Sequence, residues 1–325
     1  MARRISSVSF SGAGFLGSYH LGVSACLQKH KIIPNYTEEK DRSQSITPPV
    51  LLGSSAGALV AAGILTGIRT DDAMELTINL SNLTSKNWLN VATPGFSLVD
   101  SLHPLLRSAI DSSVAANFEG EGGESEWLRR FVNGRLRVNL TVPKLRMTMK
   151  ENRVISSFGN LDELVASCVL SSYVPFATGP LDVNAGIAAA SNELIAKNQV
   201  AIEINDGDSP GKLKAAPGDT GGFIDGGMSA MFPIMDANTL IVSPLPIRFG
   251  SGSGIQGRVI CPEFDSNLSS SPIFNQGLEL VHEWRKNAHL LSSMLISSTS
   301  EELEQFYQNG HDDATKFLKE SNLDF

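Results

Sequence analysis

The stretch Leu51-Leu52-Gly53-Ser54-Ser55-Ala56-Gly57 runs directly into an apolar segment of mostly small side chains, residues 58–65. Two apolar residues, a G-x-S-x-G pentapeptide and an apolar run predict a strand, a sharp turn and a helix. Gly53 and Gly57 suit a turn so tight that a side chain at either position would collide with its neighbours. Such a turn presents Ser55 at the carboxyl end of the strand and the positive end of the helix, so Ser55 is the candidate nucleophile.

A glycine-rich turn of the same kind occurs earlier in the chain. Residues 5–10 read as a strand, residues 11–17 as the turn, and a helical pattern follows to about Lys29. Backbone N–H groups gathered at a helix N-terminus form an anion site for a dinucleotide pyrophosphate or for the oxyanion of a tetrahedral intermediate. A dinucleotide site needs an acidic residue closing a second strand about 20 positions further on. Residues 34–41 read as a polar loop instead, so the oxyanion is favoured. A dinucleotide site and a turn that binds nothing are left as alternatives.

A third feature, Gly222-Phe223-Ile224-Asp225-Gly226-Gly227, pairs a short apolar strand with an aspartate and two glycines. Taken alone, Asp-Gly is typical of an Asx-type turn. A carboxylate beside a serine hydroxyl can nevertheless act as a base when partial desolvation matches its pKa to the task. The two glycines would let the backbone turn tightly enough to bring Asp225 beside Ser55.

The histidines offer weaker support for a Ser–Asp–His triad. The chain has six, and the late ones, His282, His289 and His311, fall within helical periodicity. A triad histidine would lie on a loop after a late strand. A lone helical histidine is more often a packed or solvated residue, so a dyad is favoured.

Composition excludes several classes of protein. A net charge of −8 argues against nucleic acid as a general partner. Three widely spaced cysteines, with no CxxC or His/Cys cluster, suggest neither a metal nor a disulfide framework, and no cofactor is expected. No signal peptide is visible and the longest apolar run is too short to span a bilayer. We therefore expect a cytoplasmic protein with only peripheral membrane contact.

The remaining patterns alternate between the helical and strand periods, as in an α/β protein. Helices are predicted at about residues 70–82, 97–114, 161–170, 273–296 and 301–321, and strands at 136–142, 145–149, 153–158 and 239–243. Residues 117–125 and 206–222 read as surface loops.

Three signatures in order, Gly12-Ala13-Gly14-Phe15-Leu16-Gly17, Gly53-Ser54-Ser55-Ala56-Gly57 and Asp225-Gly226-Gly227, resemble the patatin-like phospholipases, particularly the adiponutrin and adipose triglyceride lipase branch. Further segments resemble that branch: residues 18–23, 166–168 with 174–176, and 241–244 with 260–262. The resemblance covers nearly the whole chain. It implies a three-layer α/β/α fold with a mainly parallel central sheet. It also implies one catalytic domain over residues 1–325, with a core at about 5–245 and a C-terminal helical segment at about 273–322.

The resemblance also implies roles for individual residues. Ser55 would attack the ester carbonyl, and Asp225 would take its proton and later activate water. The backbone amides of Gly12, Ala13, Gly14 and Ala56 would hold the oxyanion, and the motif glycines are Gly17, Gly53, Gly57, Gly226 and Gly227. The implied protein is a serine lipid acyl hydrolase of acylglycerols or phospholipids, working at a membrane or lipid-droplet surface. A lipid transacylase, a catalytically silent lipid-binding scaffold and a protein activator are left open.

Three departures from the family pattern stand out. Many bacterial and plant patatins carry a basic residue at the position of Leu16. The animal branch has leucine there, as this chain does. The excursion at about residues 181–221 is longer than in that branch, so the resemblance does not define the entrance to the site. The chain ends soon after the catalytic domain, so the sequence does not support droplet targeting.

Overall fold

The structure is a computed structural model. It describes residues 5–36, 48–85, 97–118, 124–143, 150–175, 177–179, 203–206, 209–212, 222–250, 258–265, 267–273, 278–282, 284–295 and 298–321. The strands are β1 (Ser7–Phe10), β2 (Val50–Gly53), β3 (Leu136–Pro143), β4 (Lys150–Ile155), β5 (Glu203–Asp206), β6 (Ser209–Lys212), β7 (Thr239–Val242), β8 (Ile247–Phe249), β9 (Arg258–Ile260), β10 (Ser270–Ile273) and β11 (Leu278–Val281). The helices are α1 (Gly17–Lys29), α2 (Ala56–Thr66), α3 (Thr70–Ser85), α4 (Leu98–Asn117), α5 (Glu124–Trp127), α6 (Leu161–Ser171), α7 (Gly227–Ala230), α8 (Trp284–Leu295) and α9 (Ser300–Glu320). A 3₁₀ turn spans Gly14–Leu16 and a π-helical turn spans Leu128–Val132.

The central sheet has the strand order β4-β3-β2-β1-β7-β9 within the described ranges. All neighbouring pairs are parallel except β3 and β4 at one edge. Strands β1 and β7 are buried along their whole length, as expected for parallel strands covered on both faces. Helices flank this sheet, so the predicted three-layer α/β/α fold with a mainly parallel sheet is confirmed.

Strand β1 marks the point where the strand order reverses. It pairs with β2 on one side and with β7 on the other. In open α/β sheets, ligands bind outside the carboxyl ends of the strands at such a point. The glycine-rich turn after Phe10 and the turn after Gly53 therefore lie side by side at that edge of the sheet.

The C-terminal helices pack on the glycine-rich turn and on the helix that follows it. A Cβ at Gly22 of α1 would overlap the backbone oxygen of Tyr307 in α9, and a Cβ at Gly310 of α9 would overlap that of Tyr19. These two glycines let the helices approach backbone to backbone. In α8, the carbonyl carbon of Met294 would lie 2.8 Å from a Cβ at Gly14, so α8 closes over the turn itself.

The sequence predictions for secondary structure hold for most of the described elements, and the largest failure lies near the C-terminal end of the sheet region. The helix predicted at 273–296 is wrong: residues 270–273 and 278–281 form the antiparallel pair β10–β11, and only α8, Trp284–Leu295, is helical. Strand β11 also pairs with β8. A short apolar run fits a helix or a strand equally well, and pairing with a distant strand decided the outcome.

Smaller differences occur elsewhere. The strand predicted at 153–158 lies at Lys150–Ile155 and pairs antiparallel with β3, whereas the predicted strand at 145–149 lies outside the described residues. The excursion at 181–221 includes the hairpin β5–β6, and its other residues lie outside the described ranges. Asn160 caps the predicted helix α6, because its side chain accepts the Glu163 N–H at 2.8 Å.

Candidate active site

The turn between β2 and α2 holds Ser55 in a strained backbone conformation. Its φ of 54° and ψ of −131° lie in a region that residues with a side chain rarely adopt. Such a conformation costs on the order of 1–3 kcal/mol and persists only where surrounding structure enforces it. In a nucleophile elbow, the serine lies on a strained strand-to-helix turn of this kind.

The two flanking glycines are enforced by close contacts of the turn with its surroundings. A Cβ at Gly57 would overlap the backbone oxygen of Phe10 at the end of β1. A Cβ at Gly53 would lie 2.5 Å from both the backbone nitrogen and the Cα of Ala58. Any other residue at either position would therefore push the elbow away from β1 or from its own helix.

Asp225 lies on a short segment whose backbone is hydrogen-bonded to strand β3. The backbones of Ile224 and Thr141 exchange hydrogen bonds of 2.9 and 3.1 Å, and the Thr141 hydroxyl donates to the Asp225 carbonyl oxygen at 2.8 Å. The next two residues turn the chain, and the Gly227 N–H donates to Asp225 Oδ1 at 2.7 Å. A Cβ at Gly226 would overlap the backbone oxygen of Asn139, so this turn also demands glycine.

The surroundings of Asp225 raise the pKa of its carboxyl group. The side chain is buried, and burial raises its pKa from 3.8 to about 6. Hydrogen bonding to the Ser55 hydroxyl and to the Gly227 N–H opposes this rise without cancelling it. A carboxylate with a pKa near 6 is ionised at neutral pH yet basic enough to accept a proton from a neighbouring hydroxyl.

The glycine-rich turn after β1 borders the same space. A Cβ at Gly12 would lie 3.8 Å from the Cβ of Ser55 and 3.6 Å from the Cα of Gly227. A Cβ at Gly17 would lie 3.3 Å from the Cβ of Ala56. The three sequence signatures therefore meet at one point of the fold.

The structure separates the predicted oxyanion donors into two groups. The Gly12 N–H already donates to the Met231 carbonyl oxygen at 3.1 Å, so in this structure it is not free to hold an oxyanion. Among the described residues, no backbone acceptor pairs with the N–H of Ala13 or Gly14. Ala56 is the first residue of α2, where an N–H has no partner within the helix. Within the described ranges, the donors left for an oxyanion at this edge are thus those of Ala13, Gly14 and Ala56.

Comparison with known proteins assigns the chain to a family. A sequence model of the family described as "Patatin-like phospholipase" matches residues 8–238. The chain belongs to the patatin-like phospholipase family. The match contains the glycine-rich turn, the elbow and the Asp-Gly-Gly segment of this patatin-like chain.

Several curated relatives are similar at low identity. Patatin-like phospholipase domain-containing protein 2 of Mus musculus is 26% identical over 321 residues, covering 98% of this chain and 51% of its own length. The 1-acylglycerol-3-phosphate O-acyltransferase PNPLA3 of Homo sapiens is 26% identical over 324 residues, covering 99% of this chain and 52% of its own. This patatin-like chain spans about half the length of both relatives. Patatin-like phospholipase domain-containing protein 4 of Homo sapiens is 23% identical, with 97% of each chain covered.

A solved structure is similar more distantly. The type III effector protein ExoU matches 99% of this chain and 54% of its own chain, with a TM-score of 0.47 and 13% sequence identity.

No described histidine hydrogen-bonds Ser55 or Asp225. His282 lies just after strand β11, not in a helix as predicted, and bonds Ser269 and Ser271 at the surface. His20 is buried in α1, where burial lowers its pKa to about 4 and keeps the ring neutral. Its Nε2 lies 3.0 Å from the Ser11 carbonyl oxygen, so it supports the glycine-rich turn of this patatin-like chain and does not serve Ser55 as a base.

The described residues form neither a metal site nor a membrane-spanning helix. In those ranges, no group of His, Cys, Asp and Glu side chains is arranged to hold a metal ion. No helix there combines the length and apolar character needed to cross a membrane.

The residues that hydrogen-bond the backbone around Ser55 and Asp225 were not predicted from the sequence. Ser171, Asn139 and Thr141 contact the elbow or the aspartate segment through hydrogen bonds. Ser171 and Ser55 are 116 positions apart, so no local pattern links them. The one local signal is that Asn139 and Thr141 are polar yet buried within a strand.

Proposed function

We propose that this protein is a serine lipid acyl hydrolase in which Ser55 is the nucleophile and Asp225 is the sole general base. The observation that carries the proposal is the pairing of a strained serine on a nucleophile elbow with a buried aspartate whose pKa is raised to about 6. A nucleophilic serine needs an adjacent base, and no described histidine takes that position. The family to which the chain belongs supports an acyl ester as the substrate.

Acylation follows from this geometry. Asp225 accepts the hydroxyl proton as Ser55 Oγ attacks the carbonyl carbon of the ester. The negative charge that develops on the carbonyl oxygen is stabilised by the N–H groups of Ala13, Gly14 and Ala56 and by the positive end of α2. The ester C–O bond then breaks, Asp225 returns its proton to the departing alcohol, and the acyl group stays on Ser55.

Deacylation repeats these steps with water as the nucleophile. Asp225 takes a proton from water, the hydroxide attacks the acyl carbonyl carbon, and the same N–H groups hold the second oxyanion. Collapse of this intermediate breaks the bond to Ser55 Oγ, which recovers its proton from Asp225. The products are a fatty acid and the free enzyme.

Acylglycerols are our first choice of substrate and phospholipids the second. A net charge of −8 disfavours approach to anionic membranes, whereas a neutral acylglycerol surface imposes no such repulsion. We place the protein in the cytoplasm, in peripheral contact with a membrane or a lipid droplet.

Transacylation is the second candidate function. A relative is named a 1-acylglycerol-3-phosphate O-acyltransferase, and the acyl group on Ser55 can be passed to a lipid hydroxyl as readily as to water. The dyad and the oxyanion donors would be the same, and only the second acceptor would differ.

Acyl release from emulsified triacylglycerol, diacylglycerol and phosphatidylcholine tests the proposal and ranks the substrates. We expect Ser55→Ala to lower the rate roughly 10⁴- to 10⁶-fold, because the attacking atom is removed. The matched control is Ser167→Ala, which loses a serine hydroxyl that bonds the Glu163 carbonyl oxygen within α6 and does not contact the elbow. Equal rates in wild type and Ser55→Ala would refute the nucleophile, and acyl-lipid products without free fatty acid would favour the transacylase.

A further inference from the structure

The end of α6 and the residues just after it contact both members of the proposed dyad. Ser171 Oγ accepts the Ser55 N–H at 2.9 Å and donates to the Asn139 carbonyl oxygen at 2.7 Å. The Ser171 carbonyl oxygen accepts the Gly226 N–H at 3.0 Å, and that of Tyr173 accepts the Asp225 N–H at 2.8 Å. Ser171 thus fixes the proposed nucleophile through its side chain, and the carbonyl oxygens of Ser171 and Tyr173 fix the backbone of the aspartate segment.

The Ser55 N–H depends on an outside partner. Ser55 precedes the first residue of α2, so its N–H has no acceptor within the helix, and its positive φ keeps it out of the strand ladder. An N–H that is shielded from water without gaining an acceptor destabilises the folded state. In the native structure the Ser171 hydroxyl supplies that acceptor, which offsets part of the strain at the elbow.

The direction of these hydrogen bonds is determined by the atoms themselves. The Asn139 carbonyl oxygen can only accept, so the Ser171 hydroxyl proton points at it and an Oγ lone pair faces Ser55. Asn139 also donates from Nδ2 to the Gly53 carbonyl oxygen at 3.2 Å. The elbow is therefore held on both sides of Ser55 by groups from β3 and α6.

We propose that Ser171 is a positioning residue whose hydroxyl holds the Ser55 backbone so that Ser55 Oγ faces Asp225. This inference rests on the proposed dyad. Ser171 touches neither the ester nor the carboxylate, and it acts through the orientation of Ser55. Its loss should therefore slow the chemical step and leave substrate binding nearly unchanged.

Hydrolysis of a soluble long-chain ester, p-nitrophenyl decanoate, tests the inference through separate kcat and KM values. We expect Ser171→Ala to lower kcat about 10- to 100-fold, the scale of a small misplacement of a reacting group, with KM within about twofold of wild type. Ser171→Thr keeps the hydroxyl and should recover most of the lost kcat. The acid limb of the pH–rate profile should not move in either variant, because Asp225 keeps its surroundings.

The matched control is Ser172→Ala, next in sequence and also buried at the end of α6. Its hydroxyl donates to the Cys168 carbonyl oxygen at 3.1 Å and does not bond the elbow. We expect Ser172→Ala to retain the wild-type kcat, with thermal unfolding recorded for every variant. A Ser171→Ala enzyme with wild-type kcat, or an equal fall in Ser172→Ala, would overturn the inference.

The experiment separates this inference from the proposed function on which it rests. A wild type no faster than Ser55→Ala would reject the dyad itself, whatever Ser171 does. If Ser171→Ala does not fold, Ser171→Cys replaces it, since a thiol is similar in size but a weak acceptor. A wild-type kcat in Ser171→Cys would then overturn the positioning role, and a selective fall in kcat would support it.

Discussion

Asp225→Asn is expected to lower kcat about 10³- to 10⁴-fold while the protein keeps its fold. An asparagine oxygen can still accept the Gly227 N–H that Asp225 Oδ1 accepts at 2.7 Å, so the turn should survive. The amide cannot take a proton from Ser55, so both acylation and deacylation lose their base. The measurement is kcat on p-nitrophenyl decanoate, with circular dichroism to establish the fold.

A second aspartate provides the control for this substitution. Asp236 is exposed and accepts hydrogen bonds from Ser6 and from the Asn238 N–H in a surface turn, so Asp236→Asn should leave kcat unchanged. In the wild type, kcat/KM should rise with pH through about 6, because only ionised Asp225 can act as the base. Full activity in Asp225→Asn would show that another group takes the serine proton.

The same substitution is expected to stabilise the protein at neutral and alkaline pH. The pKa of Asp225 is raised by burial from 3.8 to about 6, so the folded chain holds this proton more tightly than the unfolded chain. Between these pH values the unfolded state releases the proton first, and the free energy of unfolding of the wild type therefore falls as pH rises. Above pH 6 the buried carboxylate destabilises the fold by up to about 3 kcal/mol.

Urea denaturation at two pH values measures this effect. The amide introduced by Asp225→Asn does not titrate, so the stability of the variant minus that of wild type should increase by about 2 kcal/mol between pH 4 and pH 8. Comparing the two proteins at each pH removes the contribution of the other titrating groups. A difference that shrinks toward pH 8 would contradict a raised pKa at Asp225.

These two expectations share one physical origin. Burial raises the pKa of the Asp225 carboxyl, which suits the proposed role as a base, and burial also makes its charged form unfavourable in the folded state. A residue kept at a loss of stability is typical of a functional site. The strained backbone of Ser55 belongs to the same pattern.

Local features of the chain were predictable from the sequence because their physical causes are local. Gly53 and Gly57 flank the elbow because neighbouring backbone atoms leave no room for a Cβ. The G-x-S-x-G pattern itself therefore predicts the turn. The order of the three signatures, together with the resemblance they carry, indicated the fold and the pairing of Ser55 with Asp225.

Long-range features were not predictable in this way. The strand Leu278–Val281 forms because β8 and β10 lie on either side of it, which no local periodicity records. The Gly12 N–H was predicted to bind the oxyanion, whereas in the structure it donates to the Met231 carbonyl oxygen. The contact of Ser171 with Ser55 joins positions 116 residues apart and emerges only once the chain is folded.

The most direct test of the central claim is to react the protein with a long-chain alkyl fluorophosphonate and map the adduct by mass spectrometry. If Ser55 is the activated nucleophile, one phosphonyl group should attach to its Oγ with loss of fluoride, and Ser55→Ala should remain unlabelled. A stable adduct on a different serine, or equal labelling of wild type and Ser55→Ala, would contradict the assignment of Ser55 as the nucleophile.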